Sequence, residues 1–165
     1  MENFNNYILD SNILKNNFNQ IKNLVGTNVK VCAMVKADAY GHGLKDVCKA
    51  LKNADFFGVA SALEAKHIRK FNKTTPILIV GVVNPECVLW CSENNVSVTV
   101  TSLEELKLFS YIVGYNKLKV HLKVNTGLNR IGFNNVNNFK KALKFIKYNF
   151  NIVLEGVFTH FATKL

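Results

Sequence analysis

Ala33-Met34-Val35-Lys36-Ala37-Asp38-Ala39-Tyr40-Gly41-His42-Gly43 joins the end of a strand to the start of a helix. The apolar run Val29 to Val35 is of β type and delivers one lysine, Lys36, to its C-terminal end. A glycine-punctuated turn follows, and then Leu44, Val47, Cys48 and Leu51 recur at the spacing of a helix with one buried face. A lysine at the mouth of a buried strand is poorly solvated, which favours the neutral amine that adds to an aldehyde. The pattern alone also fits a lysine that merely ends a strand and reaches back to water.

Working outward, β-branched apolar runs alternate with segments of helical period. The spacing predicts strands over Val29–Ala37, Phe56–Ser61, Pro76–Val82, Val96–Thr101, Lys119–Asn125 and Ile152–His160. It predicts helices near Ser11–Val25, Leu44–Asn53, Ala62–Phe71, Pro85–Glu93, Leu103–Val113 and Asn137–Tyr148. Ser102 followed by Glu105 is a capping-box start for one of these helices. The strand–helix alternation predicts a parallel α/β sheet, either doubly wound or a (β/α)8 barrel. No GxGxxG follows the first strand, which counts against the dinucleotide-binding version. A complete barrel needs eight units and typically about 250 residues. Six strands in 165 residues would leave such a barrel incomplete, with two unpaired edges.

Composition bounds the function. A hydrophobic share of 48% with 19% charged residues describes a folded globular chain. The opening residues Met1 to Asn6 lack a basic region followed by an apolar one, and no apolar run approaches membrane-spanning length, so a cytoplasmic protein is expected. The net charge of +10 raises the question of nucleic acid, but the lysines lie on polar helix faces, as in Lys140 to Lys147, without interleaved stacking aromatics. Cys32 and Cys48 are expected to be buried, and Cys87 and Cys91 to share a helix as reduced thiols rather than metal ligands.

The strand Lys119-Val120-His121-Leu122-Lys123-Val124-Asn125 alternates strictly. Val120, Leu122 and Val124 would meet helices, while His121, Lys123 and Asn125 would line a barrel interior near its catalytic mouth. A strand with one wet face is the plainer reading.

Three segments change the balance. Val35-Lys36-Ala37-Asp38-Ala39-Tyr40-Gly41-His42-Gly43 closely resembles the cofactor-attachment signature of alanine racemases. Leu122-Lys123-Val124-Asn125-Thr126-Gly127-Leu128-Asn129-Arg130-Ile131-Gly132-Phe133 resembles a second signature of that family. Glu155-Gly156-Val157-Phe158-Thr159-His160-Phe161-Ala162-Thr163 resembles a third, and Tyr7 to Leu14 fits the family's opening segment.

The resemblance implies residues 1–165 as the N-terminal, pyridoxal-phosphate-binding portion of a partial (β/α)8 barrel, with about six of eight units and without the family's C-terminal β-domain. It implies that Lys36 carries pyridoxal phosphate as a Schiff base and is one of two catalytic bases, serving the D-enantiomer. Tyr40 would bond the cofactor phosphate, Arg130 the phenolic oxygen and the substrate carboxylate, and His160 would stand beside the cofactor ring. Lys123 matches a lysine that some members carbamylate, and Asn125 stands where aspartate is commoner. The second base, a tyrosine from the C-terminal domain of a partner subunit, would lie outside this stretch, as would most phosphate ligands. The implied activity is interconversion of L- and D-alanine by a homodimer, supplying D-alanine for peptidoglycan. A catalytically silent, cofactor-binding or interacting chain is the other reading. A decarboxylase or a cofactor-homeostasis protein of the same barrel type is a further one.

Overall fold

Residues 8–163 are described by a computed structural model; Tyr7, in the opening segment, lies outside them. Six parallel strands pair strictly in chain order: β1 (Cys32–Met34), β2 (Phe56–Val59), β3 (Ile77–Ile79), β4 (Val96–Val100), β5 (Leu118–Lys123) and β6 (Ile152–Phe158). The helices are α1 (Ser11–Val25), the single turn α2 (Lys36–Tyr40), α3 (Leu44–Ala50), α4 (Ala62–Arg69), α5 (Val88–Glu93), α6 (Leu103–Val113) and α7 (Val136–Lys147).

Sequential order removes the doubly wound alternative. That topology reverses direction at a switch point, whereas here every crossover advances the same way. Right-handed crossovers then keep the helices on one face and leave the other face as the inside of an unclosed barrel. Among the described residues β1 and β6 each pair on one side only.

The core lies between sheet and helices. Ile77, Ile79, Val98, Val100, Val120 and Leu122 are inaccessible to solvent, as are Ala65, Ile68, Val88 and Leu106 on the helices. Each large aliphatic side chain buried in this way contributes about 1.5–3 kcal/mol. Helix starts are fixed by capping side chains: Asp10 accepts from the amides of Asn12 and Ile13, and Ser61 and Ser102 accept from those of Glu64 and Glu105. At the opposite end of the sheet from the site, the buried Arg69 donates to the carbonyls of Asn72, Thr75, Asn94 and Asn95. Burial lowers its pKa, and the four carbonyls take the place of water.

Several expectations are corrected. The strand expected over Val29–Ala37 is regular only over Cys32–Met34, because it is an edge strand and the chain turns sharply after Val35. Cys32 is exposed rather than buried, since it stands on that edge. The helix expected over Leu44–Asn53 stops at Ala50, and Pro85–Glu93 divides into a 3-10 turn (Pro85–Cys87) and α5. Cys87 and Cys91 thus lie on different elements, and among the described residues no cluster of three metal-ligating side chains exists. Cys91 is fully buried, and burial pushes its thiol up to about 12.

Candidate active site

The chain leaves β1 into an unusual conformation. Ala37, Asp38, Ala39 and Tyr40 have φ of 51°, 52°, 53° and 57°, so α2 is a turn of left-handed helix built without glycine. Left-handed helix costs L-residues roughly 1–2 kcal/mol each and is normally visited by single residues. Local hydrogen bonds hold the turn: Ala39 donates to Val35 O at 3.0 Å, Gly41 to Ala37 O at 3.0 Å and Gly43 to Asp38 O at 3.0 Å. The Asp38 carboxylate accepts from the Leu44 amide at 2.7 Å and so joins the turn to α3. Four residues of left-handed helix bring the Lys36 ammonium to 5.9 Å from the centre of the Tyr40 ring. Lys36 is half-buried rather than wholly removed from water, and Tyr40 is exposed.

Across the open interior, β5 presents Lys123 beneath the site. The alternation expected here is observed: Val120 and Leu122 face the helices, and Lys123 is 4% exposed on the other face. Its ammonium lies 5.3 Å from the centre of the Phe158 ring. Burial first, then the neighbouring charges of Arg130 and Lys36, push the Lys123 pKa below the ordinary lysine value. Three cations therefore approach one another at the C-terminal ends of β1 and β5.

Arg130 owes its place to a loop that doubles back over β5. Val124 and Phe133 form a parallel bridge, Phe133 donating to Lys123 O at 2.7 Å and Asn125 to Phe133 O at 2.9 Å. Gly132 makes this approach possible. Its φ is 126°, and a Cβ there would stand 2.5 Å from Lys123 O. Asn125 donates through its side chain to Asn129 Oδ1 at 3.0 Å and so braces the loop. Lys123, Asn125, Thr126, Arg130, Thr159 and His160 line one small cleft. The Thr126 and Thr159 hydroxyls are 2.7 Å apart, and Thr159 donates to Val124 O at 2.8 Å. These bonds tie the ends of β5 and β6 together and set the backbone at His160, whose side chain is exposed.

Below this layer is a second polar group of side chains. β6 carries one residue more than β5 at this level, with Val120 opposite Leu154 and His121 opposite Gly156. The extra residue, Glu155, accepts from the Ser97 hydroxyl and lies 3.0 Å from His121 Nε2 and 3.5 Å from Lys119 Nζ. Burial alone would raise the Glu155 pKa, but the hydrogen bonds from Ser97 and His121 and the Lys119 charge bring it below the ordinary value. His121 stands edge-on between Phe56 and Phe158, and a Cβ on Gly156 would be 2.6 Å from its ring.

All five residues singled out from the sequence lie at the C-terminal ends of strands. Lys123, Arg130 and His160 share a cleft, and Lys36 with Tyr40 forms a separate pair whose lysine lies near enough for its charge to act on Lys123. His42 and His67 are exposed, His42 Nδ1 standing 2.8 Å from Ala39 O. The sequence reading missed Glu64, whose two carboxylate oxygens hold the amides of Ala37 and Ala60 at 2.8 and 2.7 Å. Its one sequence signal was the Ser61-x-x-Glu64 spacing at the start of α4.

Fold and site together define a (β/α)-barrel segment with a lysine-centred cationic site at its strand ends. The chain belongs to the alanine racemase family: residues 9–164 match the model of the alanine racemase N-terminal domain. It is 38% identical over 159 residues to the alanine racemase of Methanococcus maripaludis, covering 93% of this chain and 42% of that protein. The alanine racemase of Clostridium difficile 630 in complex with cycloserine superposes with a TM-score of 0.85 at 37% identity, over 91% of this chain and 42% of that one. The histidine racemase of Leuconostoc mesenteroides superposes with a TM-score of 0.85 at 29% identity, over 93% of this chain and 42% of that one. The chain thus spans about two fifths of the length of the relatives it matches. Among the described residues no helix is long and apolar enough to cross a membrane.

Proposed function

We propose that this chain carries the cofactor-bearing half-site of a pyridoxal-phosphate-dependent amino-acid racemase acting on alanine. The observation that supports it most is the left-handed turn that pairs Lys36 with Tyr40 at one strand end, with Lys36 and Arg130 both close enough to act electrostatically on Lys123. The donor set suits a phosphorylated aromatic aldehyde: a primary amine for its carbonyl, and a phenol and a guanidinium for its anionic groups. When bound, pyridoxal phosphate supplies an electron sink for the charge left when an amino acid loses its Cα proton.

The chain's own residues then have defined tasks. Lys36 anchors the cofactor and afterwards, as a free amine, takes or returns the proton at Cα on one face. Arg130 would hold the phenolic oxygen and the substrate carboxylate, Tyr40 would bond the phosphate, and His160 would stand beside the ring. Racemisation needs a second base on the opposite face, and by family likeness this is a tyrosine contributed by the partner subunit of a homodimer. Lys123 is the residue to be carbamylated: its neutral amine adds to CO2 and releases one proton, replacing a cation beside Arg130 with an anion. Supply of D-alanine for peptidoglycan, in the cytoplasm, is the role that fits this activity.

The test is direct. The protein is incubated with pyridoxal phosphate, reduced with borohydride and mapped by peptide mass, and alanine isomerisation is followed alongside serine and histidine. We expect the label on Lys36, alanine as the preferred substrate wherever turnover is seen, and loss of both in Lys36→Ala. A label distributed over surface lysines would overturn the reading. A label on Lys36 with no turnover would leave a cofactor-binding chain without racemase activity.

A further inference from the structure

We infer that Glu64 is a positioning residue for Lys36, holding the backbone of the left-handed turn from a neighbouring strand–helix junction. The inference rests on the reading of Lys36 above.

The sheet contains the same capping device twice. In Ser102-Leu103-Glu104-Glu105 the serine hydroxyl accepts from the Glu105 amide at 3.1 Å. Glu105 Oε2 reaches back to the Thr101 amide at 2.6 Å and the Thr101 hydroxyl at 2.9 Å. In Ser61-Ala62-Leu63-Glu64 the serine accepts from the Glu64 amide at 3.3 Å, and Glu64 Oε2 reaches back to the Ala60 amide at 2.7 Å. Both devices satisfy an amide that the start of a helix leaves without a partner. The first makes both of its glutamate's bonds through Oε2, within its own junction. The second uses its other oxygen outside the junction, where Glu64 Oε1 takes the Ala37 amide at 2.8 Å.

Ala37 is the first residue of the left-handed run and the next residue after Lys36. Its amide fixes the peptide plane from which the Lys36 side chain departs. The turn's local bonds come from the amides of Ala39, Gly41, His42 and Gly43, whereas the Ala37 amide at its start is held by Glu64 from outside. A carboxylate is the group for this task, because each oxygen accepts one amide and neither presents a donor. An amide side chain offers one acceptor, and its NH2 would face the other N–H. Helix capping explains the bond to Ala60; it does not explain the bond to Ala37.

The experiment compares Glu64→Gln with Glu105→Gln, the same substitution in the device that does not touch the turn. Amide exchange in the unliganded protein is read by NMR at Ala37, Ala60 and Thr101, and pyridoxal phosphate affinity by absorbance titration with Lys36 attachment confirmed by reduction. In Glu64→Gln we expect Ala37 exchange to quicken about tenfold and the affinity to fall by a similar factor. Glu105→Gln should quicken exchange at Thr101 and leave both Ala37 and the affinity unchanged. If Glu64→Gln does not fold, Glu64→Asp serves, read against Glu105→Asp in the same way. Unchanged Ala37 exchange, or equal loss of affinity in the two variants, overturns the inference. If the wild-type protein takes no cofactor on Lys36, the functional reading fails, while Ala37 exchange still decides whether Glu64 holds the turn.

Discussion

Lys123 is the residue at which structure and charge are most at odds. It is 4% exposed, its neighbours Arg130 and Lys36 are cationic, and among the described residues no carboxylate is paired with it. A buried, uncompensated charge opposes folding. The unfolded chain holds its proton up to 10.5, whereas the folded chain releases it at lower pH. Below the folded value the full cost of burying the charge is present, and it fades as pH rises towards 10.5. Lys123→Met is therefore expected to be more stable than wild type by ~1 kcal/mol at neutral pH. Denaturant unfolding in CO2-free buffer should show that advantage shrinking as the buffer becomes more alkaline. Added bicarbonate should stabilise the wild type alone, with a mass gain of one CO2 on Lys123. An advantage for the methionine variant that grows with pH would show that burial of this charge is not the cost.

At the scale of elements, β6 depends on its bulge. Strand pairing in register would carry residues alternately to the two faces, and the extra residue at Glu155 breaks that alternation. The result is a carboxylate among Lys119 and His121 of the neighbouring β5 and Ser97 of β4, one strand further on. Its folded pKa lies below the ordinary 4.5, so its contribution is complete above 4.5 and is lost as pH falls through the folded value. Glu155→Gln should cost about 1–3 kcal/mol at pH 7. The gap to wild type should close in acid. A constant difference from pH 7 to pH 3 would rule out the ionised carboxylate as the cause.

The bulge also marks where reading from sequence stops. Period-2 alternation placed Lys123 on the inner face, and period-3.6 spacing gave the bounds of α1 and α6 and the buried face of α3, because those patterns are local. Lys36, Arg130 and His160 are singled out by family likeness, and all three stand beyond the C-terminal ends of strands. In Ala37-Asp38-Ala39-Tyr40 only Asp38 is of a type that visits the left-handed region, and then as a single residue; a contact between Glu64 and Ala37, 27 residues apart, has no local signature. Register, bulge and turn are products of strands packed against one another.

Across the whole molecule the sheet is best made in its middle and thinnest at its margins. Every residue of β3 and β4 is buried, whereas β1 is exposed at two of its three positions and Val153, Leu154 and Val157 of β6 are exposed. Strand edges hold amides and carbonyls that have no partner on one side, and those positions open most readily. Amide exchange on the 165-residue chain should therefore rank β3 and β4 as slowest, β5 next, and β1 and β6 as fastest. The ranking follows from strand order and not from the loops, so it tests the open sheet directly. Protection of β1 and β6 equal to that of β4 would mean that both margins are covered in solution. In that event the rank should depend on protein concentration if copies of this chain pair edge to edge, and a concentration-independent result would mean that β1 and β6 are covered within a single chain.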